Sequence, residues 1–225
     1  MKCRTVSTLE LLDNNISHLG CEFIARILGL GPDSPIEVLK LDHNDFGTKG
    51  VIELVKGLNM NAKLTLLSLC YCDIDVEGSK PLIEIIIYTQ STLRELILKG
   101  NQLGNVGLKH ICDSLRVSKS LEAIDISDNQ ISDLNKEGSN IDGIKELGIC
   151  LKENKIIKKY NLQFNSICDD TVKGLINCAK EGVTVTELLL SERVAEDLLQ
   201  ELDAVLKVNK AKGKKKKGKK KGKKK

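Results

Sequence analysis

Aromatic residues and proline are scarce in this sequence of 225 residues, which contains no Trp, three Tyr, three Phe and three Pro. Since 41% of the residues are hydrophobic, a core must be built mainly from Leu, Ile and Val. Such a core suits a fold that stacks many equivalent aliphatic positions, and it excludes disorder throughout the chain. Long apolar runs are also missing, because no stretch reaches the roughly 18 residues of a transmembrane helix.

The sequence lacks the short motifs that mark common enzyme classes. It has no GxSxG, HExxH, GxGxxG or phosphate-binding GxxxxGKS/T pattern, and its three histidines are far apart. Among eight cysteines the one close pair is Cys70 and Cys72, with no second pair nearby to complete a metal site. We therefore predict a protein that is not an enzyme and that holds no cofactor and no metal.

Charge is unevenly distributed along the chain. Residues 207–225 hold thirteen Lys and no acidic residue, which leaves 22 basic against 31 acidic residues, a net charge of −9, for the rest. Because such a segment cannot bury apolar surface and repels itself, we predict a folded domain over residues 1–208 and a disordered basic tail over 209–225. The N-terminal residues lack the apolar run of a secretory signal, which predicts a cytoplasmic location, with the nucleus as an alternative, and cysteines that remain thiols.

One pattern recurs seven times along the domain. It consists of an aliphatic residue, two variable residues, an aliphatic, one variable, an aliphatic, two variable and then Asn or a substitute. Leu93, Leu96, Leu98 and Asn101 form the clearest copy. The Asn place is occupied in turn by Asn14, Asn44, Cys72, Asn101, Asn129, Asn165 and Arg193, at spacings of 30, 28, 29, 28, 36 and 28 residues. This regularity predicts a solenoid of about seven repeats.

At these residues the chain resembles the leucine-rich repeat family, and the period near 28 residues resembles its ribonuclease-inhibitor subclass. The resemblance implies an α/β solenoid with a curved parallel sheet on the concave side and helices on the convex side. The residues themselves agree, because the central Leu-x-Leu of each repeat predicts a short strand with both aliphatics inward that can pair only with neighbouring repeats. The Asn amide should satisfy backbone groups at the turn that follows, forming a ladder between repeats.

Apolar spacing between the strands predicts one amphipathic helix per repeat. In the fourth repeat Leu108, Ile111 and Leu115 lie on one helical face. Pro81 is predicted in the first turn of the third helix, where a missing N–H does no harm. Residues 132–140 contain the eight additional residues of the 36-residue spacing and should form a polar loop on one rim.

The concave face is the predicted protein-binding surface, because solenoid proteins bind their partners on that side. It is lined by variable strand positions and by the residue just before the Asn place. A Tyr and a Phe occupy this last position in two repeats, and aromatic residues are over-represented at interface hot spots. The predicted protein-binding residues are His43, Tyr71, Ile97, Lys99, Asp128 and Phe164.

The Lys-rich tail is predicted to bind polyanions, because each Lys that approaches a polyanion releases counterions. Candidate polyanions are the acidic tails of microtubules, nucleic acid and anionic lipid. The predicted polyanion-binding residues are Lys214, Lys215, Lys216, Lys217, Lys219, Lys220, Lys221, Lys223, Lys224 and Lys225.

Together these features predict a non-enzymatic scaffold, a monomeric solenoid that binds a protein partner while its tail adds electrostatic attachment. The chain is similar to short ribonuclease-inhibitor-type repeat proteins of the cytoskeleton and of cilia and flagella, which implies one of those locations. Two alternatives belong to other classes. The first is a nucleic-acid-associated protein held by its basic tail, and the second is a regulator of a small GTPase, since the Ran GTPase-activating proteins share the repeat subclass.

Overall fold

The computed structural model describes residues 5–88, 92–133 and 142–221. Within these residues seven strands of three residues form one parallel sheet, and the strands follow one another in sequence order. The strands are β1 Thr8–Glu10, β2 Val38–Lys40, β3 Leu66–Ser68, β4 Glu95–Ile97, β5 Ala123–Asp125, β6 Lys159–Asn161 and β7 Glu187–Leu189. The helices are α1 His18–Leu28, α2 Gly47–Leu58, α3 Val76–Ile87, α4 Gly104–Leu115, α5 Asp142–Glu153, α6 Asp169–Gly182 and α7 Glu196–Lys221. This arrangement confirms the predicted α/β solenoid.

The strands are held in one register by the repeated aliphatic pattern. The central residue of each strand faces the core and pairs with the central residue of its neighbour, as Leu67 does with Leu39 and Leu96. These residues are completely buried, and so are Leu69 and Leu98 just after their strands. The helices cover the other side of this aliphatic layer, where Leu108, Ile111 and Leu115 are buried as predicted.

The predicted Asn ladder is present, with Asn44, Asn101, Asn129 and Asn165 all buried. Asn101 shows the complete pattern, since its Oδ1 accepts from the backbone N–H of Cys72 at 3.1 Å and of Ile74 at 3.0 Å. Its Nδ2 donates to the carbonyl oxygens of Leu69 and Leu98, both at 2.8 Å. Each such amide therefore joins two consecutive repeats through buried backbone groups that would otherwise lack partners.

Three places of the ladder lack the complete hydrogen-bond pattern: Cys72 and Arg193, where Asn is replaced, and Asn14 in the first repeat. Cys72 is buried, and its Sγ donates to the carbonyl oxygen of Leu41 at 3.3 Å, so it replaces part of the Asn pattern. Asn14 is exposed, and its Nδ2 donates to the carbonyl oxygen of Leu12 at 2.6 Å, within its own repeat. Arg193 is exposed as well, which agrees with a divergent last repeat.

The prediction for Pro81 is wrong. Helix α3 begins at Val76, so Pro81 lies inside the helix rather than in its first turn. The earlier start has a clear cause, because the side chain of Asp75 caps the helix by accepting from the N–H of Gly78 at 3.0 Å. Pro81 therefore removes one hydrogen bond that the carbonyl of Glu77 would have accepted within the helix.

The C-terminal helix α7 packs on the last repeat through the buried side chains of Leu198, Leu202, Val205 and Leu206. Asn209 is also buried, and its Nδ2 donates to the carbonyl oxygens of Ala179 and Val185. The helix continues to Lys221, past the predicted domain boundary at 208. Side chains beyond 213 and most of the rim loop at 132–140 lie outside the described residues, so the disordered tail and the loop stay predictions.

Candidate functional site

The candidate site lies at the turn that follows each strand on the concave side. The residue just before the Asn place adopts a left-handed backbone in successive repeats, with φ of 57° at His43, 52° at Tyr71, 71° at Gly100, 53° at Asp128 and 58° at Phe164. This conformation costs a residue with a Cβ about 1 kcal/mol, and Gly100 adopts it freely. The repeat therefore imposes one turn at this position and projects whichever side chain stands there.

Gly100 also makes room for the aromatic ring of the preceding repeat. A Cβ built on Gly100 would come within 2.1 Å of a Tyr71 ring carbon. The ring of Tyr71 consequently lies across the backbone of the next turn, and any larger residue at position 100 would displace it. The sequence analysis did not identify this role of Gly100.

Five of the six predicted binding residues come together in one cluster, which we call the concave cluster: His43, Tyr71, Lys99, Asp128 and Phe164. The rings of His43 and Tyr71 are stacked, with centroids 4.8 Å apart and planes inclined by 15°. The Tyr71 hydroxyl lies 3.4 Å from Oδ2 of Asp128, to which it donates. The sixth residue, Ile97, lies half-buried at the end of β4, two residues before Lys99.

Lys99 joins the two aromatic residues of the cluster. Its Nζ lies 5.8 Å from the ring centroid of Tyr71 and 5.8 Å from that of Phe164. Cation–π contacts of this kind are worth about 0.5 to 1 kcal/mol each at exposed sites, enough to favour one orientation of both rings. Phe164 nevertheless stays 69% exposed, so the cluster presents a held aromatic surface to solvent.

Two kinds of acidic side chain surround the cluster: some are hydrogen-bonded within the sheet, and others are exposed. Asp42 accepts from the Ser68 hydroxyl at 2.6 Å, and Asp125 accepts from Nδ2 of Asn161 at 2.8 Å, so both fix the floor of the concave face. Asp45 and Asp73 are exposed and line a shallow cleft of about 440 Å³ beside the Tyr71 ring. The sequence analysis missed these two carboxylates, because they follow the Asn place in separate repeats and belong to no motif.

A second cleft, of about 520 Å³, opens at Phe164. It is lined by Gln163, Phe164, Asn165, Ser166, Ser191, Glu192 and Arg193. Arg193 was interpreted only as a ladder substitution, whereas the structure places it on the same surface as the predicted binding residue Phe164. The concave face is thus acidic beside Tyr71 and carries a cation beyond Phe164.

Four of the described cysteines, Cys21, Cys72, Cys112 and Cys150, are buried in the core, and Cys70 is half-buried. Burial raises the pKa of Cys21 and of Cys72 to about 12, and it raises the pKa of Cys70 to about 11. These thiols are therefore protonated at neutral pH, and only the thiolate is nucleophilic or binds metal well. Among the described residues no group of three His, Cys, Asp or Glu is placed to hold a metal ion, and no helix is long and apolar enough to cross a membrane.

Sequence similarity to known proteins also supports the repeat assignment. A family model described as Leucine Rich repeat matches residues 34–55, 89–112 and 117–134. Ribonuclease inhibitor from Sus scrofa is 26% identical over 190 residues, which is 83% of this chain and 39% of that protein. Ribonuclease inhibitor from Mus musculus is 29% identical over 176 residues, which is 77% of this chain and 36% of that protein. The chain thus spans less than half the length of these relatives.

A solved structure gives the same architecture at low sequence identity. The leiomodin-1 actin-binding site 2 matches with a TM-score of 0.55 and 13% identity, over 88% of this chain and 93% of that one. At this identity the likeness concerns the fold alone. Together with the buried Leu-x-Leu strands, the Asn ladder and the matched repeats, these findings assign the family: the chain is a leucine-rich repeat protein of the ribonuclease-inhibitor-like subclass.

Proposed function

We propose that this protein is a non-enzymatic scaffold that binds one protein partner on its concave face, with Tyr71, Lys99 and Phe164 at the centre of the contact. The observation that supports it most directly is the concave cluster, in which one Lys contacts two aromatic rings, Phe164 exposed and Tyr71 half-buried. Held aromatic side chains lose little entropy on binding and are common hot spots. Two relatives are named as inhibitors of a ribonuclease, which also favours a binding role.

The charges around the cluster indicate what the partner presents. The exposed carboxylates of Asp45, Asp73 and Asp128 lie beside Tyr71, and the ammonium group of Lys99 is directed at the two rings. A partner segment with Lys or Arg among apolar side chains would complement this surface, since like charges would be repelled. We therefore propose a basic, partly apolar surface as the partner's side of the contact.

Removing the rings of Tyr71 and Phe164 tests the proposal. The double variant Tyr71→Ala with Phe164→Ala should lose at least about 30-fold in affinity for the main partner, because the two rings are the proposed hot spots. Its melting temperature should stay close to that of the unmodified protein, because both side chains project away from the core. Affinity capture from cells with residues 1–209 identifies the partner, and titration of the purified pair measures the loss.

A matched control separates a specific contact from general loss of apolar surface. Met60 and Val117 are about as exposed as Phe164 but follow helices α2 and α4, away from the concave face. The double variant Met60→Ala with Val117→Ala should bind the partner normally. Retention of full affinity by the Tyr71 and Phe164 variant would contradict the proposal and move the interface to the convex helices, the rim loop or the tail.

We propose separately that the Lys-rich tail attaches the protein to polyanions. The supporting observation is its composition, thirteen Lys and no acidic residue over 207–225. Without aromatic residues the tail cannot stack on bases, so it should bind any polyanion with little sequence preference. Attachment to microtubules or to nucleic acid would follow from the same chemistry, and the cytoskeletal or ciliary location stays a prediction.

Salt dependence is the expected signature of tail binding. The affinity of the full chain for single-stranded RNA should fall steeply as salt rises, with a slope of log affinity against log salt of roughly −0.7 for each phosphate that the tail neutralises. Residues 1–209 should bind RNA, microtubules and anionic vesicles weakly or not at all, whereas a tail with its Lys and Gly shuffled should bind as the natural one does. Loss of binding on shuffling would indicate a sequence-specific motif and would contradict the proposal.

A further inference from the structure

The core residues of the first and last repeats differ in how completely they are buried. In the interior repeats the inward strand residues, such as Leu39 and Leu67, are completely buried. At the C-terminal end the equivalent Leu188 is still buried, because helix α7 packs there. At the N-terminal end Leu9 and Leu11 are only half-buried, since in the described part of the chain β1 has a neighbouring strand, β2, on one side alone.

Helix α1 carries an apolar stripe at this N-terminal end. Leu19, Phe23 and Ile27 recur every four residues and are 59%, 61% and 44% exposed. On the other side of the helix Ala25 contacts Gly57 of α2, where an added Cβ would come within 2.2 Å of the Ala25 carbonyl oxygen. The stripe therefore lies on the side of α1 that faces away from the rest of the solenoid, and most residues there would be polar in a capping element.

Among the residues that the structure describes, no strand pairs with the edge of β1 that faces away from β2. Its backbone pairs with β2 through the N–H of Leu11, which donates to Lys40 at 2.9 Å, and through the carbonyl of Ser7, which accepts from Val38 at 3.0 Å. Because peptide groups alternate along a strand, those of Thr8 and Glu10 point away from β2. The described residues before the strand, 5–7, are exposed. An unprotected edge of this kind is a template for pairing with another chain.

From this juxtaposition we infer that the N-terminal end is a homodimer interface. A two-fold axis along the sheet normal brings β1 of the two copies together as antiparallel strands and, in the same operation, lays the two α1 helices antiparallel. With the axis near Phe23, the two Phe23 rings meet and Leu19 of each copy faces Ile27 of the other. Residues 22 and 26 of opposite copies then lie about 3 Å apart along the helix axis.

Charge complementarity supports a second copy as the occupant. Glu22 and Arg26 border the stripe, and they already form an ion pair at 2.6 Å within one helix. In the antiparallel arrangement each Arg26 reaches the Glu22 of the other copy, so the symmetric contact pairs opposite charges rather than like ones. The sheet would then continue across the interface, and the half-buried Leu9 and Leu11 would gain the neighbours that their counterparts have.

The C-terminal end is a less favourable partner for the stripe. Most exposed residues of α7 from Glu196 to Lys207 are charged, and the exposed apolar residues Ala204 and Val208 share their shallow cleft with Lys180, Glu201 and Lys212. An apolar stripe gains less against a face on which charged groups flank the apolar residues, so head-to-tail stacking is disfavoured. The isologous contact uses one surface twice and closes, which gives a dimer and not a filament. This conclusion departs from the monomeric solenoid expected from sequence.

Sedimentation of the full chain from low to high micromolar concentration tests the inference. The unmodified protein should be a dimer, and Phe23→Glu should raise the dimer dissociation constant by about 100-fold, because the two-fold axis brings both new carboxylates into the apolar contact. Ile52→Glu, on the outer face of α2 with a similar exposure to Ile27, is the matched control and should remain dimeric. Circular dichroism checks that each variant is folded.

Amide hydrogen exchange gives a second measurement that does not depend on a variant. In the dimer the N–H groups of Thr8 and Glu10 should exchange slowly, and dilution to the monomer should expose them. A monomer at every concentration would overturn the inference, and so would species that grow beyond a dimer, which indicate head-to-tail association. An unchanged dimer with Phe23→Glu, or fast exchange at Thr8 and Glu10 in a dimer, would place the interface elsewhere.

Discussion

Leu98→Ala should lower the free energy of unfolding by about 2 to 5 kcal/mol, because it removes a fully packed side chain and leaves a cavity that the neighbouring repeats can close only in part. Leu98 is completely buried, and the residues at the same position in the adjacent repeats, Leu69 and Ile126, are buried as well. Neither can move toward the cavity without disturbing its own strand. Chemical denaturation of the two proteins measures the difference.

Leu19→Ala is the matched control for this prediction. It makes the same change in side-chain volume at a position that is 59% exposed, so it should cost well under 1 kcal/mol when the measurement is made on the monomer. Equal losses for the two variants would mean that the core does not depend on the inward position after each strand. The register of the repeat would then be wrong.

The sequence predicted the solenoid because each repeat encodes its own strand, turn and helix within about 28 residues. Leu93, Leu96 and Leu98 occupy the places that the pattern assigns to buried residues, and all three are buried. The concave positions followed from the same register, since the residue before the Asn place must point outward at the turn. The strand, turn and helix of each repeat, and the positions on the concave face, could therefore be predicted without knowledge of long-range contacts.

The contacts within the concave cluster could not be predicted in this way. Tyr71, Lys99 and Phe164 belong to three different repeats, and whether Lys99 lies between the two rings depends on its rotamer and on the curvature of the sheet. The space for the Tyr71 ring comes from the missing side chain of Gly100, which the sequence presents only as an ordinary turn residue. Side-chain geometry across repeats has no local signature.

The ends of the molecule were also poorly predicted, because burial there depends on neighbouring elements that the repeat pattern does not encode. Leu9 and Leu11 fit the pattern as well as any interior pair, yet they are half-buried, since burial in a solenoid depends on the neighbour and not on the repeat itself. The stripe on α1 escaped notice for a related reason. Leu19 and Phe23 were unremarkable as isolated apolar residues, and only the position of α2 shows that they face outward.

Asn101→Ala should destabilise the protein by about 3 kcal/mol, nearly as much as a large core truncation, although the amide contributes little apolar surface. Its Oδ1 accepts two backbone N–H groups of the preceding repeat, and its Nδ2 donates to two carbonyl oxygens. All of these groups are buried or partly buried, and a stranded polar group costs about 1 to 3 kcal/mol. Thermal and chemical denaturation of the variant measure the loss.

Asn14→Ala is the control that isolates the ladder from the residue type. Asn14 occupies the same place in the first repeat, but it is exposed and its side-chain amide donates to the nearby carbonyl of Leu12, while its bond to Asn44 is made by the backbone N–H and would survive the substitution. Its removal should therefore change the free energy of unfolding by less than about 0.5 kcal/mol. If Asn101→Ala were as mild as Asn14→Ala, the buried amides would not be needed to join the repeats, and the aliphatic layer alone would hold the solenoid together.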